Sequence, residues 1–339
     1  MKVLVTGGAG YLGSHTVLEL LAAGHEAVVL DDFSNASPRA MAALGVLANR
    51  EIPWTEGDIR DADCLDRVFK GGGFDAVMHF AGLKAVGESV EEPLRYYETN
   101  VAGTACLLER MEAHGVKTLV FSSSATVYRV TDTGDQAPLN EGWPTGPDSP
   151  YGRTKLIVEE LLRDLCAAKP DWRASVLRYF NAVGAHPSGE IGEDPTGVPR
   201  NLLPCIAQVA VGRRELLEVF GDDYPTRDGT CVRDYLHVVD LARAHIRAVE
   251  YLGRKPGFAV HNLGTGRGHT VFEAIRAFER ASGKTIPYRI VGRRPGDAPV
   301  TIADPGRARD ELGWTAQWDI DRMCADLWRW QSTHPEGFE

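Results

Sequence analysis

Tyr151 and Lys155 lie four residues apart just after Pro150, and Ser124 closes a hydrophobic run upstream of them. Four residues is a little over one helical turn, so both side chains leave the same face of one helix. An ammonium beside a phenol favours the phenolate, which predicts a phenol pKa below its ordinary value of about 10. Such a tyrosine can take a proton from a sugar hydroxyl near neutral pH. Tyr-x-x-x-Lys by itself is cheap in sequence space. Its weight depends on the elements that position it.

The first of those elements stands at the N-terminus. Val3-Leu-Val-Thr-Gly7 reads as a short buried strand, and Gly7, Gly8, Gly10 and Gly13 then lead into a helical stretch that stops at Gly24. Strand, glycine turn and helix in that order aim free backbone N–H groups at an anion. The spacing Gly7-x-x-Gly10-x-x-Gly13 departs from G-x-G-x-x-G, although Gly8 also sits in the turn. His25 to Leu30 reads as a second strand ending in Asp31-Asp32, where an acid suits a ribose 2′-hydroxyl. The same carboxylate would repel a 2′-phosphate, and no arginine follows until Arg39. NAD is therefore expected rather than NADP.

Strand-like and helical runs continue to alternate through residue 180: Glu51–Ile59 and Phe74–Gly82 as strands, Tyr96–His114 as a helix, Val116–Val127 as a strand, a helix from Pro150, and Arg173–Phe180 as a strand. Regular alternation predicts right-handed crossovers and a Rossmann-like, doubly wound parallel sheet in an α/β fold. Gly7, Asp31, Asp58, Gly82, Ser124 and Asn181 would all fall at the carboxyl ends of strands, where such sheets bind ligands. After residue 181 the pattern loosens. Ala182–Asn201 is a long Gly- and Pro-rich loop, which at that length suggests function. Helices are expected at Leu203–Gly212, Val238–Leu252, Val271–Ser282 and Ile320–His334, with strand-like pieces at Leu216–Gly221, Phe258–Gly264 and Ile286–Val291. We read residues 1–181 as a dinucleotide-binding domain and 182–339 as a smaller C-terminal α/β substrate lobe, with the chain free to cross back to the first.

A chain of 339 residues, 43% hydrophobic, can build one large core or two moderate ones. The formal net charge of −10 argues against nonspecific binding to nucleic acid or an anionic membrane. Six scattered cysteines without a C-x-x-C pair suggest neither a disulfide framework nor a metal site. Met1-Lys2 runs directly into the first strand, so no signal peptide is expected, and no apolar run approaches the ~20 residues of a membrane span. These features point to a cytoplasmic enzyme.

Several segments together resemble the UDP-glucose 4-epimerase family of the extended short-chain dehydrogenase/reductase superfamily. They are Gly7–Gly13, His79–Val90, Ser122–Tyr128, Ser149–Lys155, Leu177–Asn181, Gly184–Gly189, Val232–His237 and Arg293–Asp297, and they span nearly the whole chain. The resemblance implies tightly held NAD, regenerated each cycle, and a UDP-hexose substrate passing through a transient 4-keto sugar. Tyr151 would be the base at the sugar 4-hydroxyl, Lys155 would hold the phenolate and the nicotinamide ribose, and Ser124 would orient the hydroxyl. NAD contacts would come from Gly7, Gly10, Tyr11, Leu12, Gly13, Asp31, Asp32, Asn35, Asp58, Ile59, Phe80, Ala81, Lys84 and Phe180, besides the three catalytic residues. Asn181, Asn201, Arg233, Arg294 and Asp297 would anchor the nucleotide, with Phe220 near the uracil. Arginine forks suit phosphate oxygens; Arg293 remains an alternative to Arg294. A homodimer is implied, with Tyr96–His114 and Tyr151–Ala168 as a face.

The chain departs from the family pattern in three places. Arg129 stands where glycine is usual, in a longer 129–148 segment, and Thr99 replaces a common asparagine. Thr301 falls where the family has a bulky aromatic or a small residue beside the sugar, and a small one leaves room for a 2-acetamido group. Among rival functions, a nucleotide-sugar 4,6-dehydratase needs an Asp-Glu pair after the catalytic serine or threonine, where this chain has Ala125-Thr126. A UDP-glucuronate 4-epimerase differs only in a substrate carboxylate. A non-catalytic dinucleotide sensor would be free to lose Tyr151 or Lys155, and both are present.

Overall fold

Alternation of side chains along Lys2–Thr6 (β1) decides how the first layer is built. Val3 and Val5 enter one apolar core and Leu4 the opposite one, so the strand is covered on both faces. The computed structural model describes residues 1–130, 138–197, 199, 201–294 and 296–338. From β1 the chain runs through α1 (Tyr11–Ala22), β2 (Glu26–Asp31), α2 (Pro38–Ala48), β3 (Trp54–Glu56), α3 (Ala62–Gly72) and β4 (Ala76–His79). It continues with α4 (Val86–Glu91), α5 (Pro93–Tyr96), a π-helical turn (Tyr97–Ala102), α6 (Gly103–Ala113), β5 (Thr118–Ser124), a 3₁₀ turn (Ala125–Val127), α7 (Pro150–Ala168) and β6 (Arg173–Tyr179).

The second half comprises β7 (Asn181–Val183), α8 (Leu202–Ala210), β8 (Leu217–Phe220), β9 (Val232–His237), α9 (Val238–Arg254) and β10 (Gly257–Leu263). It ends with β11 (Gly268–Thr270), α10 (Val271–Ser282), β12 (Tyr288–Val291), β13 (Val300–Thr301) and α11 (Ile320–Thr333). Seven parallel strands form the main sheet in the order β10-β6-β5-β4-β1-β2-β3. Strand order reverses between β1 and β4, which is where a doubly wound sheet opens its ligand crevice. A smaller lobe holds the β11-β9-β13 sheet, with β7 on β9, and the β12-β8 ribbon, packed with α8, α10 and α11 around its own apolar core.

Phe258–Leu263 differs from the sequence expectation. It is not a strand of the smaller lobe but part of the edge strand of the large sheet, with Phe258 to Leu263 opposite Ala174 to Tyr179 of β6. The helix before it, α9, packs on α1. An amphipathic helix and an apolar strand carry no label for which sheet they complete. The open β6 edge accepts this strand because its parallel backbone groups need partners.

The stretch read as one helix, Tyr96–His114, is interrupted by the π turn. Asn100, buried within that turn, accepts from Leu83 N at 2.8 Å, donates to Leu83 O at 3.0 Å and donates to Thr154 Oγ1 at 3.1 Å. The irregularity thereby ties the loop after β4 to α7. Such turns occur disproportionately at functional sites.

Candidate active site

Pro150 at the first position of α7, capped by Ser149 Oγ accepting from Gly152 N at 3.1 Å, fixes where that helix begins. Tyr151 and Lys155 then project from one buried face. Ser124 is the last residue of β5, and its Oγ accepts from Thr126 N at 3.2 Å and Thr126 Oγ1 at 3.0 Å. Ser124 thus caps the turn that follows β5, and the bonds to Thr126 fix its rotamer. Lys155 donates to Ser122 O at 2.9 Å, with its Nζ 4.9 Å from the Phe121 ring centre and 5.9 Å from that of Tyr151.

The lowered phenol expected from the Tyr–Lys spacing is not what the chain alone produces. Burial pushes Tyr151 up to about 12, against a smaller lowering by its bond to Ser124. Burial also brings Lys155 down to about 8, opposed by the field of Glu159. Desolvation disfavours each charged form more than the neighbours favour it. A phenolate at neutral pH thus needs positive charge additional to Lys155.

The glycine turn fits a dinucleotide on sterics. Gly7 has φ +69°, and a Cβ there would lie 2.6 Å from Ala81 N, while one on Gly13 would lie 2.2 Å from Gly7 O. Gly10 is the N-cap of α1 and has no side chain to cap the first helical N–H groups. Asp31 accepts from Ala9 N and Phe33 N, both at 2.9 Å, so the acid shapes the turn. Its burial raises its pKa. Arg60 holds Asp58 well below the usual carboxylate range through a bond of 2.6 Å, and also reaches Glu98. Arg60, which follows the cleft residues Asp58 and Ile59, is thus already paired with acids.

These groups meet in one cleft of about 1230 Å³. That exceeds the ~300–1,000 Å³ of a usual single-ligand site and suits two nucleotides lying head to head. Its wall includes Gly7, Gly10, Tyr11, Leu12, Gly13, Asp31, Asp32, Asn35, Asp58, Ile59, Phe80, Ala81, Lys84 and Phe180 on the dinucleotide side. Ser124, Tyr151 and Lys155 line the same cleft, as do Asn181, Asn201, Arg233, Arg294, Asp297 and Thr301. Asn201 occupies the N-cap of α8 without using its side chain as a cap. Asp297 accepts from both arginines, Arg294 at 3.1 Å and Arg233 at 3.4 Å. Arg293 turns away, bonded to Asp223 at 2.7 Å and stacked on Tyr224, which decides between the two neighbours. Phe220 is the one expected contact outside this wall. It is 37% exposed and lies under the Arg294 guanidinium at 5.3 Å.

The cleft also has walls outside the expected set of contacts. Tyr179, beside Tyr151, ends β6, and Thr99 comes from the π turn. Glu193 pairs with Lys84 at 2.7 Å, and Thr196 donates to Asn35 Oδ1 at 2.9 Å. Both belong to the Ala182–Asn201 loop, whose length was the only signal available. Residues 131–137 of the long segment after Arg129 lie outside the described residues; Arg129 itself is exposed and accepts from Trp143 Nε1 at 3.0 Å. Among the described residues no cluster of His, Cys, Asp and Glu could hold a metal ion.

A family model described as GDP-mannose 4,6 dehydratase matches residues 4–327. The mouse UDP-glucose 4-epimerase is 56% identical over 344 residues, covering 99% of this chain and 98% of that protein. The chain belongs to the UDP-glucose 4-epimerase family. Among solved structures, the epimerase from Stenotrophomonas maltophila with bound NAD and formylated UDP-arabinopyranose superposes with a TM-score of 0.96 at 48% identity, covering 99% of each chain. The Bifidobacterium longum epimerase in complex with NAD+ and UDP gives 0.95 at 48% identity, over 99% of this chain and 100% of that one. The dehydratase description belongs to the broader group, since the cleft has Ala125 and Thr126 where elimination needs carboxylates. Whole-chain identity to UDP-glucose epimerases likewise weighs against the uronate alternative.

Proposed function

We propose that this protein interconverts UDP-galactose and UDP-glucose with NAD held throughout the cycle. The reading rests on one observation: Ser124, Tyr151 and Lys155 line a single cleft together with a glycine turn and an Asp297-bridged arginine pair. The glycine turn, Asp31 and Lys84 would hold NAD, which when bound supplies a two-electron acceptor and a positive charge at the sugar carbon. Tyr151 takes the 4-hydroxyl proton and returns it, while Lys155 favours the phenolate. Ser124 orients the hydroxyl. Arg233, Arg294, Asn181 and Asn201 keep the UDP moiety fixed, so that the 4-keto sugar can turn and present its other face. Purified protein should convert UDP-galactose to UDP-glucose without added NAD; no conversion in the NAD-loaded protein would refute the activity.

Thr301 on β13 lines the cleft with a short side chain, and we read it as admitting the N-acetyl-hexosamine pair. Absent turnover of UDP-N-acetylglucosamine beside normal UDP-galactose turnover would refute that part. We further read the protein as a cytoplasmic homodimer. All six thiols are unpaired, as a reducing compartment would keep them. No described helix is long and apolar enough to cross a membrane. The π turn and α7 pack together and leave Val101 and Ile157 half-buried, consistent with a partner face. Light scattering of the eluted protein tests the dimer.

A further inference from the structure

Glu159 lies one turn beyond Lys155 and two beyond Tyr151 on the buried face of α7, and it is fully buried. Its carboxylate accepts from Ser123 Oγ at 2.5 Å and from Arg178 Nε at 3.0 Å and Nη2 at 2.5 Å. Ser123 immediately precedes the catalytic serine on β5, and Arg178 immediately precedes Tyr179 on β6. Arg178 in turn stacks on Tyr128 at 4.8 Å, and Tyr128 donates to Asn262 Oδ1 of β10 at 2.7 Å. One carboxylate therefore clamps the catalytic helix to two strands that end in the cleft.

A buried ion pair is a poor device for stability alone, because desolvation offsets the attraction. This one also leaves Arg178 Nη1 without a partner. We propose that Glu159 is a positioning residue for the reaction, supplying the buried countercharge that keeps Lys155 an ammonium and setting α7 in register with Ser124. The inference rests on the assignment of Tyr151 and Lys155 to the chemistry.

The other groups facing Lys155 offer it no negative charge. Tyr151 on its own helix is a neutral phenol, raised by burial. His79 on β4 is kept neutral by burial, as is His245 on α9, which bonds Ser122 Oγ at 3.0 Å. On β6, Tyr179 is raised by burial and Arg178 is cationic. The field that favours the protonated lysine comes from Glu159. Removing that charge would leave the buried Arg178 guanidinium without its carboxylate and Lys155 without an opposing anion.

The test measures kcat and KM for UDP-galactose against pH on NAD-loaded protein, for wild type, Glu159→Gln, Glu159→Asp, Ser123→Ala and Lys155→Met. In Glu159→Gln the alkaline limb of kcat should move down by about one pH unit or more, so that turnover on that limb falls about tenfold with KM unchanged. Glu159→Asp should restore the limb, and Ser123→Ala should lower kcat without moving it. An unmoved limb in Glu159→Gln, with Lys155→Met inactive, overturns the role given to Glu159. Wild-type turnover in Lys155→Met would instead overturn the dyad beneath it. If Glu159→Gln does not fold, wild-type kcat and pH profile in both Glu159→Asp and Ser123→Ala overturn the inference.

Discussion

The role of base proposed for Tyr151 depends on its surroundings. Burial holds its phenol up at about 12 even against the lowering by Ser124, so proton transfer at neutral pH would depend on Lys155 and on cationic charge brought by the cofactor. Tyr151→Phe removes the acceptor and preserves the shape. Turnover should fall by about 10²- to 10⁴-fold, the usual worth of a positioned acid–base group, while UDP affinity measured by calorimetry holds. Weakened UDP binding would move Tyr151 from chemistry to recognition. Thr301 makes the opposite kind of prediction, about space. Thr301→Tyr should abolish turnover of UDP-N-acetylglucosamine and spare UDP-galactose in parallel assays, because the ring would fill the wall beside the sugar. Retained activity on the acetamido sugar would place the selectivity elsewhere.

At the scale of elements, what matters is how tightly turns and helix starts are fixed. The glycine turn after β1 is packed so closely that Gly13 has no room for a methyl group: its Cβ would lie 2.2 Å from Gly7 O. Gly13→Ala must open the turn, at a cost of about 1–3 kcal/mol for overpacking, and it displaces the N–H groups at the start of α1. Purified Gly13→Ala should retain less NAD per chain, read from absorbance after denaturing release, and melt earlier; full cofactor content would contradict the steric account. The π turn is a second fixed point. Through Asn100 it binds the loop after β4 to Thr154 of α7, so the cofactor loop and the catalytic helix share one anchor. The pattern of helix formers around Tyr96–His114 carries no sign of this, because one extra residue in a turn leaves the composition unchanged.

Over the whole molecule, the large sheet and the helices packed on it bury a set of imidazoles. Burial lowers His15 and His79 to about 3, and His245 and His261 to about 4. Their folded pKa values lie below the unfolded value near 6.5, so between pH 6.5 and about 4 the unfolded chain binds protons that the folded one refuses. Each then removes about 1.4 kcal/mol of stability per pH unit as pH falls through that window. Urea midpoints should be level above pH 6.5 and drop steeply from there to pH 5. A level midpoint across that interval would mean these rings are protonated in the fold.

Much of this was legible in the chain itself. The strand–glycine–helix order, Asp31 at the end of β2, and Pro150 with Tyr151 and Lys155 specify local geometry through short-range sterics and helical periodicity, and the structure gathers the glycine turn, Asp31, Tyr151 and Lys155 in one cleft. Tertiary structure alone decided which edge β10 completes, that Arg294 rather than Arg293 faces the cleft, and that Glu193 and Thr196 close over Lys84 and Asn35. It also decided the direction of the phenol's pKa. Spacing along a helix reports which charges are neighbours, but desolvation depends on what the remote chain packs around them, and around Tyr151 that burial outweighs the lysine one turn away.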